Sequence, residues 1–172
     1  MKKILMLGYM GSGKSVIGKL VAKQLHFSFY DLDQLIEKRL QMTISEIFMH
    51  KGEIYFRKKE HEIFKELMEN NDQFVLSLGG GTPCYANNHL LFSTEKTASV
   101  YLNASIDTLF SRLFLERKNR PIIADLNDKE FKEFIAKHLF DRSYFYNQAS
   151  IKISVNNKTK EEISTEIINK LA

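Results

Sequence analysis

Residues 8–15 read Gly8-Tyr9-Met10-Gly11-Ser12-Gly13-Lys14-Ser15, a gap-free match to G-x-x-x-x-G-K-[ST]. No other feature constrains the fold as strongly. The pattern works only as a loop between a strand and a helix. Its glycines let the backbone wrap phosphate oxygens, and successive N–H groups, with the helix N-terminus, form an anion nest. The flanks agree with that context. Ile4–Leu7 is a short apolar run, and Ser15–Leu25 carries Ile17, Leu20, Val21 and Leu25 on one helical stripe. Gly11, Ser12, Gly13 and Val16 complete the expected cradle, with Lys14 reaching the β- and γ-phosphates and Ser15 offering its hydroxyl to Mg²⁺. A chance match in a chain of this length is on the order of one in a hundred at ordinary glycine content. The reading is a nucleoside triphosphate site.

Short apolar runs alternate with longer amphipathic stretches along the rest of the chain. Strands are expected at Phe27–Tyr30, Phe74–Leu78, Ser99–Leu102 and Ile151–Val155. Helices are expected at Gln34–Leu40, Glu53–Asn70, Ile106–Glu116 and Phe131–Tyr146. Thr43-x-x-Glu46 and Thr159-x-x-Glu162 read as capping boxes opening further helices, the last running to about Leu171. Such β-α alternation predicts a three-layer α/β/α fold around a parallel sheet, with ligands beyond the carboxyl ends of its strands. The 172 residues form one domain, 1–172, without linker or repeat. One cysteine, Cys84, excludes an intrachain disulfide and a cysteine zinc cluster. A net charge of +4 suits small anionic ligands and does not call for nucleic acid. No apolar run nears the ~20 residues of a membrane span, and Met1–Gly8 is too short for a signal peptide. The expectation is a cytoplasmic protein with no membrane partner.

Asp31-Leu32-Asp33 follows the second strand. In extended chain, residues i and i+2 share a face, so both carboxylates would enter one cleft. One would serve a metal through water, and the other would accept a proton from a substrate hydroxyl. The plainer alternative is that Asp33 caps the next helix and Asp31 is a solvated strand end. Arg57, in Gly52-Glu53-Ile54-Tyr55-Phe56-Arg57, can grip a carboxylate bidentately with Glu60 orienting it, or can belong to a solvated helix face. Gly79-Gly80-Gly81 ends a buried strand, where it admits a ligand to the backbone or simply forms a turn. In Glu116-Arg117-Lys118-Asn119-Arg120-Pro121, Arg120 can neutralise a transferred phosphoryl group and Arg117 can stack on a base or touch phosphate. An exposed basic loop is the alternative. Arg142 is a second candidate carboxylate clamp or a surface arginine. Cys84 has no neighbouring histidine in sequence and is read as an inert thiol.

Taken together, these motifs make the chain resemble the shikimate kinase family over essentially its whole length. The resemblance rests on Gly8–Ser15, Asp31-x-Asp33, Gly52-Glu53-x-x-Phe56-Arg57-x-x-Glu60, Gly79-Gly80-Gly81, Arg120-Pro121-Ile122-Ile123 and Arg142-x-x-x-Tyr146. It implies ATP- and Mg²⁺-dependent phosphorylation of the 3-hydroxyl of shikimate, a step of aromatic amino acid biosynthesis. It implies five parallel strands ordered 2-3-1-4-5, a substrate-binding segment around residues 32–60 and a lid around 112–125. By the same resemblance Asp33 would be the base, with Lys14 and Arg120 on the transferred phosphate and Ser15 and Asp31 on Mg²⁺. Arg57 and Arg142 would hold the carboxylate, and Gly79, Gly80 and Gly81 would line the substrate. A monomer is expected. Thr82-Pro83 stands where the family commonly has a small apolar pair, and Asn156-Asn157-Lys158-Thr159 lacks the usual acidic and proline residues. The alternatives are another small-molecule P-loop kinase, such as a gluconate kinase, and a catalytically silent ATP-binding module.

Overall fold

Every residue of β1 (Lys3–Leu7) is buried, and its side chains alternate between two cores. Ile4 and Met6 enter one, with Val21, Val100, Leu102, Leu109, Leu113 and Ile163. Leu5 and Leu7 enter the other, with Leu32, Ile36, Phe64, Leu76 and Tyr146. A strand covered on both faces has no polar side to show, which is why it reads as an unbroken apolar run. In the computed structural model, which describes residues 3–92, 94–117 and 121–172, β1 is the centre of a five-stranded sheet.

The other strands are β2 (Ser28–Asp31), β3 (Phe74–Ser77), β4 (Thr97–Asn103) and β5 (Ile151–Ser154). They run parallel in the order 2-3-1-4-5. The helices are α1 (Lys14–Leu25), α2 (Leu32–Leu40), α3 (Ile44–Glu69), α4 (Ile106–Glu116), α5 (Pro121–Ala124), α6 (Asp128–Tyr146) and α7 (Lys160–Leu171). This is the three-layer arrangement expected from the alternation. Both expected capping boxes form, at Thr43 and Thr159, and a third at Asn127 opens α6. Each such cap is worth about 1 kcal/mol.

The helix opened at Thr43 and the helix expected from Glu53 run together as α3, with the break between them at Gly52, where φ is +83° and ψ 169°. A Cβ at Gly52 would meet nothing within 4 Å, so the glycine answers to backbone conformation and not to crowding. One local expectation needs correction, at Asp31-x-Asp33. The strand stops at Asp31, which N-caps α2 by accepting from the Gln34 amide at 3.3 Å. Asp33 therefore lies in the first helical turn, not in extended chain, and it is Asp31 that caps.

Candidate active site

The loop joining β1 to α1 is shaped by its own backbone. Gly13 is the N-cap of α1 at φ +98°, a left-handed conformation that costs a side-chain-bearing residue roughly 1–2 kcal/mol. No side chain caps α1, which leaves its first amides to serve an anion. Inside the loop the Ser12 hydroxyl is buried without a partner among the described residues. Lys14 Nζ donates to the carbonyls of Gly8 (2.8 Å) and Tyr9 (3.1 Å), lying across the loop. A buried hydroxyl, uncapped amides and an ammonium together suit a polyphosphate.

This loop forms one wall of a cleft of about 680 Å³. Gly11, Gly13, Lys14, Ser15 and Val16 line it from the loop and α1, Asp31 and Asp33 from the β2–α2 junction, and Gly79 and Gly80 from the end of β3. The junction thus brings both carboxylates to one cleft even though Asp33 is helical. The first turn of a helix leaving a sheet points toward the strand ends, as an extended continuation would. The Ser15 hydroxyl donates to Asp31 Oδ2 at 2.7 Å and lies 3.2 Å from the Ser77 hydroxyl. Such hard oxygen donors suit Mg²⁺, which takes few protein ligands when phosphates supply the rest. Burial raises Asp33 to about 6, reinforced by the nearby Asp31 and Glu60 carboxylates and opposed by Lys14. An aspartate so raised is a better proton acceptor than an ordinary one and is still ionised at neutral pH.

The glycine triplet marks the crowded end of the site. A Cβ on Gly79 would fall 2.9 Å from Thr82 Oγ1, 3.2 Å from Asp33 Oδ1 and 3.3 Å from Glu60 Oε2. Three side-chain oxygens converge there, so only glycine is accommodated. A Cβ on Gly81 would lie 2.6 Å from Arg57, and one on Gly80 3.1 Å from Arg142. The two arginines therefore press on successive residues of one triplet. Arg57 donates to the buried Glu60 at 2.8 Å, pairs with Glu53 at 3.6 Å and stacks 4.1 Å above the Tyr85 ring. Arg142 lies 5.4 Å above the ring of Tyr9, whose hydroxyl bonds His138 Nδ1 at 2.8 Å. The buried Tyr146 hydroxyl donates to the Gly80 carbonyl at 2.6 Å and fixes the triplet from below.

Arg117 is tied elsewhere. Its Nε donates to the Ala124 carbonyl at 3.3 Å, and it pairs with Asp128 at 3.4 Å, outside the residues that line the cleft. Arg120 lies outside the described residues. Cys84 is half-buried, and burial raises its thiol, in keeping with an inert group. Sequence reasoning passed over Arg112, which lines the cleft and donates to the Gly11 and Ser12 carbonyls at 3.1 and 3.3 Å. The signal was present. Arg112 flanks Leu113 and lies one turn from Leu109, both on the buried stripe of α4, so it stands at the edge facing the loop. Lys158 and Lys160, at the start of α7, also line the cleft.

The family model for shikimate kinase matches residues 10–172. A shikimate kinase of Flavobacterium johnsoniae is 54% identical over 172 residues, all of both chains. The crystal structure of a shikimate kinase from Bacteroides thetaiotaomicron is similar at a TM-score of 0.88, with 35% identity, covering 99% of this chain and 97% of that one. A shikimate kinase from Acinetobacter baumannii, solved in complex with shikimate, gives a TM-score of 0.87 at 27% identity, covering 99% and 93%.

Proposed function

Since this chain belongs to the shikimate kinase family, we propose that its cleft moves the terminal phosphoryl group of ATP to the 3-hydroxyl of shikimate, giving shikimate 3-phosphate and ADP. The family makes it an ATP-dependent small-molecule kinase. The observation that carries the residue assignments is the convergence on one glycine triplet. A raised aspartate, Asp33, and two arginines, Arg57 and Arg142, all crowd Gly79–Gly81 beside a phosphate-binding loop.

Asp33 holds the reacting hydroxyl and takes its proton as the oxygen becomes bonded to phosphorus. Arg57 and Arg142 grip the carboxylate and so fix which hydroxyl faces the phosphates. Gly80 offers its backbone to the ring. Lys14, the loop amides and the Ser12 hydroxyl hold the polyphosphate, and Arg112 lies where the nucleotide enters. Arg120 is a further cation for the transferred group on the strength of its motif alone. Ser15 and Asp31 are the residues that would hold Mg²⁺, which neutralises phosphate charge when bound. The proposed unit is a monomer. No helix of the described residues is long and apolar enough to cross a membrane. The proposed setting is the cytoplasm.

A gluconate kinase and a silent ATP-binding module are not favoured, because the family match and the relatives are shikimate kinases. A coupled assay of ADP release against a panel of small polyols tests the reading. Turnover is expected with shikimate and not with gluconate. The reverse result would overturn it.

A further inference from the structure

Glu60 is fully buried, and both of its oxygens are engaged. Oε1 accepts from Arg57 at 2.8 Å, and Oε2 accepts from the hydroxyl of Thr82 at 2.7 Å. Thr82 is buried as well, and its main chain is anchored at two points. Its amide donates to the Gly79 carbonyl at 3.1 Å, and its carbonyl accepts from Asn88 Nδ2 at 2.9 Å. Asn88 is buried in turn and bonded through Oδ1 to His61 Nδ1 at 2.7 Å. The hydroxyl thus points from a fixed backbone, at the start of a short 3-10 turn, Thr82–Cys84.

We propose that Thr82 is a positioning residue for the carboxylate clamp: its hydroxyl locks the Glu60 carboxylate in the orientation that aims Arg57 at the substrate. The inference rests on the reading above that Arg57 binds the substrate carboxylate. A terminal carboxylate rotates easily, since the torsion between its methylene and carboxyl carbons is broad and two-fold. With only Arg57 as a partner, Glu60 follows the guanidinium wherever it moves. With one oxygen fixed by Thr82, the other becomes a fixed point, and the Arg57 fork is held from the Glu60 side. The rest of the guanidinium's surroundings are looser. Its Nε is buried without a hydrogen bond, its contact with the half-exposed Glu53 is a 3.6 Å ion pair, and Tyr85 limits tilt but not rotation in the ring plane. The same hydroxyl sits at the Gly79 crossing point beside Asp33 Oδ1 and Glu60 Oε2.

The test compares steady-state kinetics and thermal melting of the wild type, Thr82→Val and Thr82→Ser. Valine keeps the branched shape and removes the donor, and serine keeps the donor. Thr82→Val is expected to raise KM for shikimate about tenfold, the scale of one hydrogen bond to a charged group. KM for ATP should stay within about twofold and kcat should change little, because the cradle and Asp33 are untouched. Thr82→Ser should return KM for shikimate to near the wild-type value. Should Thr82→Val fail to fold, Thr82→Ala carries the same comparison against serine. Thr82→Val with an unmoved KM for shikimate overturns the proposal. So does an equal rise in both KM values, or a serine variant as impaired as the valine one. A wild type that shikimate does not saturate overturns the substrate reading beneath it, and is told apart by requiring no variant.

Discussion

The phosphate cradle and the proposed carboxylate clamp meet at the glycine triplet, whose Gly79 and Gly80 line the cleft while Gly80 and Gly81 pack against Arg142 and Arg57, and they are built in opposite ways. The cradle is eight consecutive residues whose groups are mostly main chain, shaped by where glycine permits left-handed backbone. The clamp is side chains from three separated stretches. Arg57 and Glu60 come from α3, Thr82 and the triplet from the end of β3, and Arg142 and Tyr146 from α6. A main-chain site is held by the sheet that carries it and tolerates change in its side chains. A side-chain site depends on buried partners that keep each charge aimed, and each partner is a separate point of failure.

Lys14→Ala is expected to have the largest effect, as Lys14 is the one charged residue of the eight-residue motif. It should cut kcat by at least about a thousandfold, as loss of a charge-stabilising donor does. A smaller loss would mean that the cradle amides suffice, which makes the contrast with the clamp sharper still. Asp33→Asn should lower kcat by about 10²–10⁴ with ATP binding retained. Because Asp33 is raised to about 6, kcat/KM of the wild type should climb through pH 6, and the asparagine variant should lose that limb. The sign for stability runs the other way. The folded protein disfavours the charged form of Asp33, so its burden on stability grows from about pH 4 to 6 and is constant above. Asp33→Asn should therefore be more stable than wild type at pH 8, by up to about 3 kcal/mol, with the gain vanishing below pH 4. No gain at pH 8 would place Asp33 in open solvent.

Arg57→Ala should raise KM for shikimate about 10- to 100-fold and leave KM for ATP unchanged. A rise for ATP alone would move Arg57 out of the clamp. Arg112→Ala is the mildest. It should raise KM for ATP a few-fold with shikimate unaffected, since the Gly11 and Ser12 carbonyls lose a donor while the loop amides remain. A loss as large as that of Lys14→Ala would break the comparison, because the cradle would then hang on a distant side chain.

The same contrast explains what sequence alone made legible. The cradle is contiguous, so its motif, its flanking strand and its helix were all readable. The sheet was readable too, because β1 and β3 are buried on both faces and show it as apolar runs. The order 2-3-1-4-5 came through resemblance, since periodicity carries no record of which strands are neighbours. Arg57, Glu60 and Arg142 were individually suggestive, but a charged helix face has the same pattern. Only the fold brings them onto Gly79–Gly81. The partnership of Thr82 with Glu60 was hidden because it spans α3 and the end of β3. The signal at Arg112 was weak because it is an isolated cation on an amphipathic helix, a pattern that any solvated helix edge shows. The cap fell to Asp31 and not to Asp33 because the strand stops two residues sooner than the sequence suggests, and the Asp31 carboxylate meets the Gln34 amide three residues on.

The register of the central strand bears on how the molecule comes into being. Lys3 pairs on one side with Phe74 and on the other with Thr97, so neither neighbour of β1 is near it in the chain. The phosphate loop hangs from the end of that strand. Until β3 and β4 have emerged and docked, β1 has exposed apolar faces and no ladder on either edge. Nucleotide binding is thus a late property of a growing chain, although its motif precedes most of the sequence. A pause in synthesis before residue 103 would leave the most recognisable segment of this protein as its least protected one.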